Sequence, residues 1–177
     1  IAASALLVSG TGLLSACTTS APKASFNAID LTGGKEYGQD FSMPDHLGQR
    51  RTIADFKGKV VLVFFGYTQC PDVCPTTLSD LAAVKQKLGA KGDRLQVLFA
   101  TVDPARDTPE ILKAYMGNFD PSFLALRGSD EELATMAKDL KIHYKKVEGP
   151  APTSSTMDHS AGDYIFDPQG RLRLYSR

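Results

Sequence analysis

Val60-Val-Leu-Val-Phe-Phe-Gly-Tyr-Thr-Gln-Cys-Pro-Asp-Val-Cys-Pro75 is the stretch on which the reading of this chain turns. Its first six residues are β-branched, aliphatic or aromatic. Such an unbroken apolar run predicts a strand buried on both faces. Residues 66–69 read as the turn out of it. Pro75 suits the first position of a helix. Leu78, Leu81, Ala82, Val84 and Leu88 then supply an apolar face, and Gly89 a stop. A buried strand thus hands two thiols, Cys70 and Cys74, to a helix start. The only other cysteine is Cys17.

Residues four apart on a helical turn have Cα atoms about 6 Å apart. A disulfide accepts about 4.4–6.8 Å, and the same spacing lets both sulfurs face one metal ion. Placed just before a helix N-terminus, Cys74 is expected to favour the thiolate, because the macrodipole and free amide N–H groups stabilise negative charge there. Asp72, between the thiols, can hold the loop through a turn hydrogen bond or oppose thiolate formation as a nearby charge. Metal binding, redox exchange and a combination of the two all stand open on this spacing. A disulfide that only stapled so short a loop would stabilise little.

Further along, residues 95–102 read as a second buried strand. Thr108-Pro109-Glu110 reads as an N-cap, a first-turn proline and a first-turn acid, opening a helix to about Gly117. Residues 123–126 suggest a third short strand. Ser129-Asp-Glu-Glu132 is a capping box ahead of a helix to about Leu140. Tyr164-Ile-Phe166, a turn at 167–170 and residues 172–175 predict a closing hairpin. Residues 40–57, around Pro44-Asp45 and Gly48, suggest an early hairpin or paired extended segments. Strands alternating with helices predict an α/β domain, a central sheet flanked by helices. A first central strand that delivers cysteines to a helix start is the thioredoxin-like layout, although three residues, not two, separate these thiols.

The chain has 177 residues, enough for one domain and a tail, and 42% of them are hydrophobic, an ordinary core supply. Lys+Arg and Asp+Glu balance at 20 each, so no nucleic-acid footprint is expected. Residues 1–16 are small and apolar, without charge, and too short to span a membrane. They read as a partial secretory signal peptide. Leu14-Ser-Ala-Cys17 resembles a bacterial lipoprotein box, which implies cleavage before Cys17 and lipid attachment to its sulfur. Residues 17–36 are then expected to be a lipidated tether and residues 37–177 the folded domain. Export would place the domain in an oxidising compartment.

Two thiolates suit a cuprous ion, whereas a cupric ion wants more ligands, with imidazole the usual addition. His46 and His143 read as surface residues. His159 lies in a long polar segment, residues 148–162, without regular periodicity. Such segments are often functional, and spacing makes His159 a candidate ligand and no more. Asp158 is a candidate to orient its ring. Met157 reads as a packing residue or a weak soft ligand.

Phe64-Phe-Gly-Tyr-Thr-Gln-Cys-Pro-Asp-Val-Cys-Pro75, Thr101-Val-Asp-Pro-Ala-Arg-Asp-Thr-Pro109, and Asp158-His-Ser160 with Tyr164-Ile-Phe-Asp-Pro168 occur in that order. Over roughly residues 41–177 they resemble the Sco/SenC/PrrC proteins. The resemblance implies a thioredoxin-like fold of the peroxiredoxin-like variant with an N-terminal hairpin extension. It implies copper, Cu(I) or Cu(II), held by Cys70, Cys74 and His159. It also implies delivery of copper to, or maturation of, the dinuclear centre of cytochrome c oxidase subunit II, or service to another copper acceptor. The family is membrane-tethered, here expected through a lipid anchor, and usually adds a helix after the last hairpin that the sequence to Arg177 does not include. Thiol–disulfide exchange or redox sensing by the Cys70/Cys74 pair is the alternative, and it would not need His159. A peroxidase of the peroxiredoxin type would not require Cys74, and a closed structural zinc site would need a fourth ligand.

Overall fold

The apolar run folds as β4 (Val60–Gly66) in the computed structural model, which describes residues 25–34, 38, 40–150 and 154–177. β4 pairs in parallel with β5 (Leu95–Thr101), and β5 in parallel with β6 (Leu124–Leu126). On its other side β4 runs antiparallel to β9 (Asp163–Phe166), which forms a hairpin with β10 (Leu172–Ser176). β1 (Ile29–Asp30) completes the sheet, in the order β1-β10-β9-β4-β5-β6. Parallel strands reached through helices, closed by an antiparallel hairpin beside the first of them, make the expected thioredoxin-like arrangement.

Side chains alternate across a strand, so β4 feeds two cores. Val61, Val63 and Phe65 pack with Leu133, Met136 and Ala137 of α3 (Asp130–Asp139) and with Tyr164 and Phe166. The early hairpin joins this side: β2 (Met43–Pro44) pairs with β3 (Arg50–Arg51), and Met43, Ile53 and Phe56 enter the same core. Leu62 and Phe64 face the other way, against Leu78 and Leu81 of α1 (Val73–Lys87) and Leu112 and Met116 of α2 (Pro109–Gly117). The two caps read from sequence are present. The Ile111 N–H donates to Thr108 Oγ1 at 3.3 Å, and Ser129 and Glu132 form the reciprocal capping box. No helix among the described residues is long and apolar enough to cross a membrane.

Several expectations are corrected. α1 begins at Val73, two residues before Pro75, so Cys74 lies inside the first turn and not ahead of it. Val84 and Leu88 are exposed, and the helix buries a narrower face than its apolar residues suggest. Val60 is exposed at the mouth of its strand, so the full burial expected of the run starts at Val61. The sheet reaches back to Ile29, into the stretch expected as a tether, through pairing of β1 with Leu174 and Tyr175. Residues 1–16 and Cys17 lie outside the described residues. His46 is not an exposed turn residue. It is half-buried, its backbone N–H donates to the Ala125 carbonyl at 2.8 Å, and its Nδ1 accepts the Ala125 N–H at 3.0 Å. The polar stretch expected to be irregular contains β8 (Thr156–His159), paired antiparallel with β7 (Tyr144–Val147) in a ribbon separate from the main sheet.

Candidate metal centre

The cysteine half of the site grows out of the end of β4. A Cβ built on Gly66 would lie 2.7 Å from the Phe99 ring and 2.8 Å from Cys74 Sγ. Only glycine therefore lets the strand end under the sulfur. The loop that follows is fastened by Asp107, a fully buried carboxylate. It accepts the Thr68 N–H at 3.1 Å, the Thr68 hydroxyl at 2.6 Å and the Thr101 hydroxyl at 2.5 Å. Cys70 is half-buried in this loop, and Cys74 is buried in the first turn of α1, within the Leu62–Phe64–Leu78 core. Both are free thiols.

His159 comes from the ribbon. Its Nε2 lies 4.0 Å from Cys74 Sγ. Its Nδ1 lies 3.2 Å from the Ser160 carbonyl oxygen. A carbonyl only accepts, so this contact assigns the proton to Nδ1 and leaves the Nε2 lone pair toward the sulfur. The ring stands edge-on to Tyr67, at 6.0 Å between centroids and 90° between planes. Strand alternation turns Met157 to the same side as His159, where it packs against the core below. The same alternation leaves Asp158 exposed, so it does not orient the imidazole. His143 is exposed, as expected.

The three expected ligands are thus neighbours through Cys74, though among the described residues no three His, Cys, Asp or Glu side chains already converge as an ion would hold them. The buried Cys74 thiol is pushed up to about 12, first by burial, then by the adjacent Cys70 and by the Asp107 charge. A hydrogen bond from the Tyr67 backbone acts in the opposite direction. Burial thus opposes the thiolate that the helix start would favour. Tyr115 shares the same surroundings. Burial and the two cysteines raise its hydroxyl, which is enclosed without a hydrogen-bond partner among the described residues.

Within the 101–109 motif, residues 103–107 carry no local signal in the sequence. Their task is to brace the site. Asp107 holds the cysteine loop, and Arg106 reaches both that loop and the ribbon, donating to Gln69 Oε1 at 3.0 Å and to the Ser155 carbonyl at 2.8 Å. These partners lie 37 and 49 residues from Arg106 in sequence, beyond any local pattern.

Comparison with known proteins identifies the family and the fold. A family model described as SCO1/SenC matches residues 29–176. The mitochondrial SCO2 homolog of Mus musculus is 40% identical over 138 residues, covering 77% of this chain and 54% of that protein. A SCO2-like protein of Rickettsia typhi is 35% identical over 174 residues, covering 97% of this chain and 85% of its own length. The chain thus spans about half the length of the mouse relative and most of the rickettsial one. The structure of Bradyrhizobium japonicum ScoI with copper bound superposes with a TM-score of 0.72 at 40% identity, over 77% of this chain and 86% of that one. The chain belongs to the SCO1/SenC family.

Proposed function

We propose that this SCO1/SenC-family chain is a copper-delivery protein, which holds its cargo with Cys70, Cys74 and His159 and yields it to cytochrome c oxidase subunit II for the dinuclear copper centre. The observation that carries this reading is the approach of His159 Nε2 to Cys74 Sγ, 4.0 Å, beside the free Cys70 thiol. Metal bonds of about 2.3 Å to sulfur and about 2.0 Å to imidazole nitrogen can together span up to roughly 4.3 Å, so one ion fits between the two atoms. The relative that carries copper in its own structure supports the choice of metal. Soft thiolates favour the cuprous ion, and the added imidazole suits the cupric one.

The unequal burial of the thiols suggests an order of events. Cys70, the more accessible thiol, meets the incoming ion first. Cys74 follows and gives up its proton as the metal takes its place, so capture weakens on acidification. His159 closes the site from the ribbon and leaves first when an acceptor offers its own ligands. Copper titration of His159→Ala tests this reading. Cupric binding should fall and the thiolate-to-copper absorption should change, and a variant with unaltered stoichiometry and spectrum would sink the three-ligand site. Residues 1–16 as signal and Cys17 as lipid attachment point complete the proposal, with the domain exported and held at a membrane. Cys17→Ser should move the protein from the membrane fraction to the soluble one.

The half-buried Cys70 beside a buried Cys74 also favours a second reading, thiol–disulfide exchange. Cys70 would attack an acceptor disulfide and release one acceptor thiol. Cys74 would then attack the Cys70 sulfur, closing the intramolecular disulfide and releasing the second thiol, with two electrons passed. Reduction of an oxidised subunit II fragment by copper-free His159→Ala protein would favour this reading, and no reduction would remove it.

A further inference from the structure

We propose that Arg106 is the positioning residue that holds the His159 half of the centre against the thiol half. The inference rests on the copper-binding reading above and adds what sets the site's geometry. Arg106 belongs to neither half, yet its Nη1 donates to both. One partner is Gln69 Oε1, immediately before Cys70, and the other is the Ser155 carbonyl, immediately before β8. Its Nε donates to the Asp103 carboxylate. Asp103 is itself anchored at the end of β5, where its N–H donates to the Thr101 hydroxyl at 3.0 Å. The guanidinium is therefore fixed from the main sheet and pointed at the seam between loop and ribbon.

A second line of contacts runs through Tyr67. The Arg106 guanidinium carbon lies 5.9 Å from the centre of the Tyr67 ring. That ring meets His159 edge-on, and the Tyr67 hydroxyl is hydrogen-bonded to the Met157 backbone. Arg106 thus supports the imidazole twice, through the strand that carries it and through the ring that abuts it. The Nη2 group is enclosed and makes no hydrogen bond among the described residues, so Nε and Nη1 carry all the polar contacts. Lysine offers one point charge in place of this planar fork and cannot hold Asp103, Gln69 and Ser155 in the same arrangement.

Besides these contacts, Tyr144 and Met157 pack the ribbon against the core. Among the described residues its two strands pair only with each other, and Lys145, Lys146 and Val147 are exposed. Cys74, in contrast, is set by Gly66 at the end of β4 and by the first turn of α1, and the loop that carries Cys70 is fastened by Asp107 as well as by Arg106. Loss of Arg106 releases His159, leaves Cys74 in its core and leaves the Cys70 loop on its Asp107 anchor.

The test compares Arg106→Ala, Arg106→Lys and His159→Ala with the wild type. Cu(II) and Cu(I) affinities are measured by competition with chelators, and amide hydrogen exchange is followed in the metal-free proteins. Removing a residue that orients a metal ligand weakens binding by about 10- to 100-fold. That loss is expected for Cu(II) in Arg106→Ala, approaching His159→Ala, with a smaller loss for Cu(I). Exchange should quicken at residues 157–159 and not in α1, and Arg106→Lys should fall between alanine and wild type. If Arg106→Ala does not fold, Arg106→Lys carries the comparison on the same readouts. Wild-type Cu(II) affinity together with wild-type ribbon exchange would overturn the proposal and leave the copper reading standing. Equal loss of both copper forms with faster exchange in α1 would overturn it in favour of a general folding role. A wild-type protein that binds no copper would overturn the copper reading and this inference with it.

Discussion

The limb from β4 into α1 and the ribbon of β7 and β8 each supply part of one site, and they are built on opposite principles. The limb is apolar and enclosed: Val63, Phe65, Cys74 and Leu78 are all fully buried. The ribbon is polar and largely exposed, and lies outside the main sheet. Dispersion and burial fix the first. A hydrogen bond from Arg106, one from the Met157 backbone to the Tyr67 oxygen, and the packing of Met157 fix the second. The difference teaches how a site of this kind can be both defined and reversible. The sulfurs stay where the core puts them, and the imidazole sits on the part that costs least to move.

The largest test of this contrast is in the core. Phe99 is fully buried and packs 5.8 Å from both Phe64 and Tyr115, centroid to centroid. Phe99→Ala should cost about 3–5 kcal/mol in chemical denaturation, and Val147→Ala on the ribbon under about 0.5 kcal/mol. Similar losses would break the comparison. Next is the brace beneath the loop. Asp107→Ala strips Thr68 and Thr101 of their acceptor and should cost about 1–3 kcal/mol, with Asp107→Asn less damaging. A neutral Asp107→Ala would mean that the loop is held by other contacts.

The third effect is a slope with pH. Burial lifts Cys74 from 9.0 to about 12 in the fold, so the folded thiol keeps its proton where the unfolded one loses it. That stability is fully present below pH 9 and is lost as pH rises toward 12, by up to about 1.4 kcal/mol per pH unit. Denaturation of metal-free protein at pH 8 and pH 10 should show it, and Cys74→Ser should flatten it. A variant with the wild-type slope would place the titration elsewhere. Asp163 gives a smaller effect on the same limb's flank. It stands opposite Phe64 in the sheet, and burial raises its carboxyl to about 6 from 3.8. The neutral form is the stable one in the fold, so stability declines as pH rises through that range. Asp163→Asn should stabilise by about 1 kcal/mol at pH 7.5 after solvent screening, and not at pH 3.5, which thermal melts at both values would check. The smallest expected effect is on the ribbon's outer face. Asp158→Ala should change stability and copper affinity by less than about 0.5 kcal/mol, and a larger change would mean that the exposed face of β8 also serves the metal.

Legibility in the sequence divides along the same line. Residues 60–65 announce their strand by continuous apolar character, and Thr108 and Ser129 announce their helices by cap chemistry, because both signals are local. α1 starts earlier than expected because residues 73–74 join its first turn ahead of the proline. β8 escapes notice because Thr-Met-Asp-His has neither an apolar run nor β-branched enrichment. Its strand character comes from pairing with residues 144–147. Cys70 and Cys74 were visible as chemistry. His159 was visible from the residues only as a candidate in a polar segment, and the resemblance to a known family raised it to a ligand. Arg106 and Asp107 were visible only as part of a motif, since their partners lie tens of residues away. The Cys74 thiol went astray for a related reason: the helix start is read locally, whereas the enclosure that opposes ionisation is assembled from distant parts of the chain.

The turn at Asp45-His46 has a consequence for how copies of this domain behave when crowded. β6 is the outermost strand of the sheet, and its free backbone groups would invite strand addition from a neighbouring molecule. His46 fills that place. Its backbone N–H and ring nitrogen engage Ala125, and beside it Asp45 bridges Leu126 and the Pro44 carbonyl accepts the Arg127 N–H at 2.9 Å, much as a short seventh strand would. Burial lowers the imidazole below its usual 6.5, against the pull of Asp45. A protonated ring would face the Ala125 N–H with a donor and lose that one contact, while the backbone contacts beside it remain. Strand addition from a neighbouring copy is therefore resisted along this edge, on the side of the sheet away from β1.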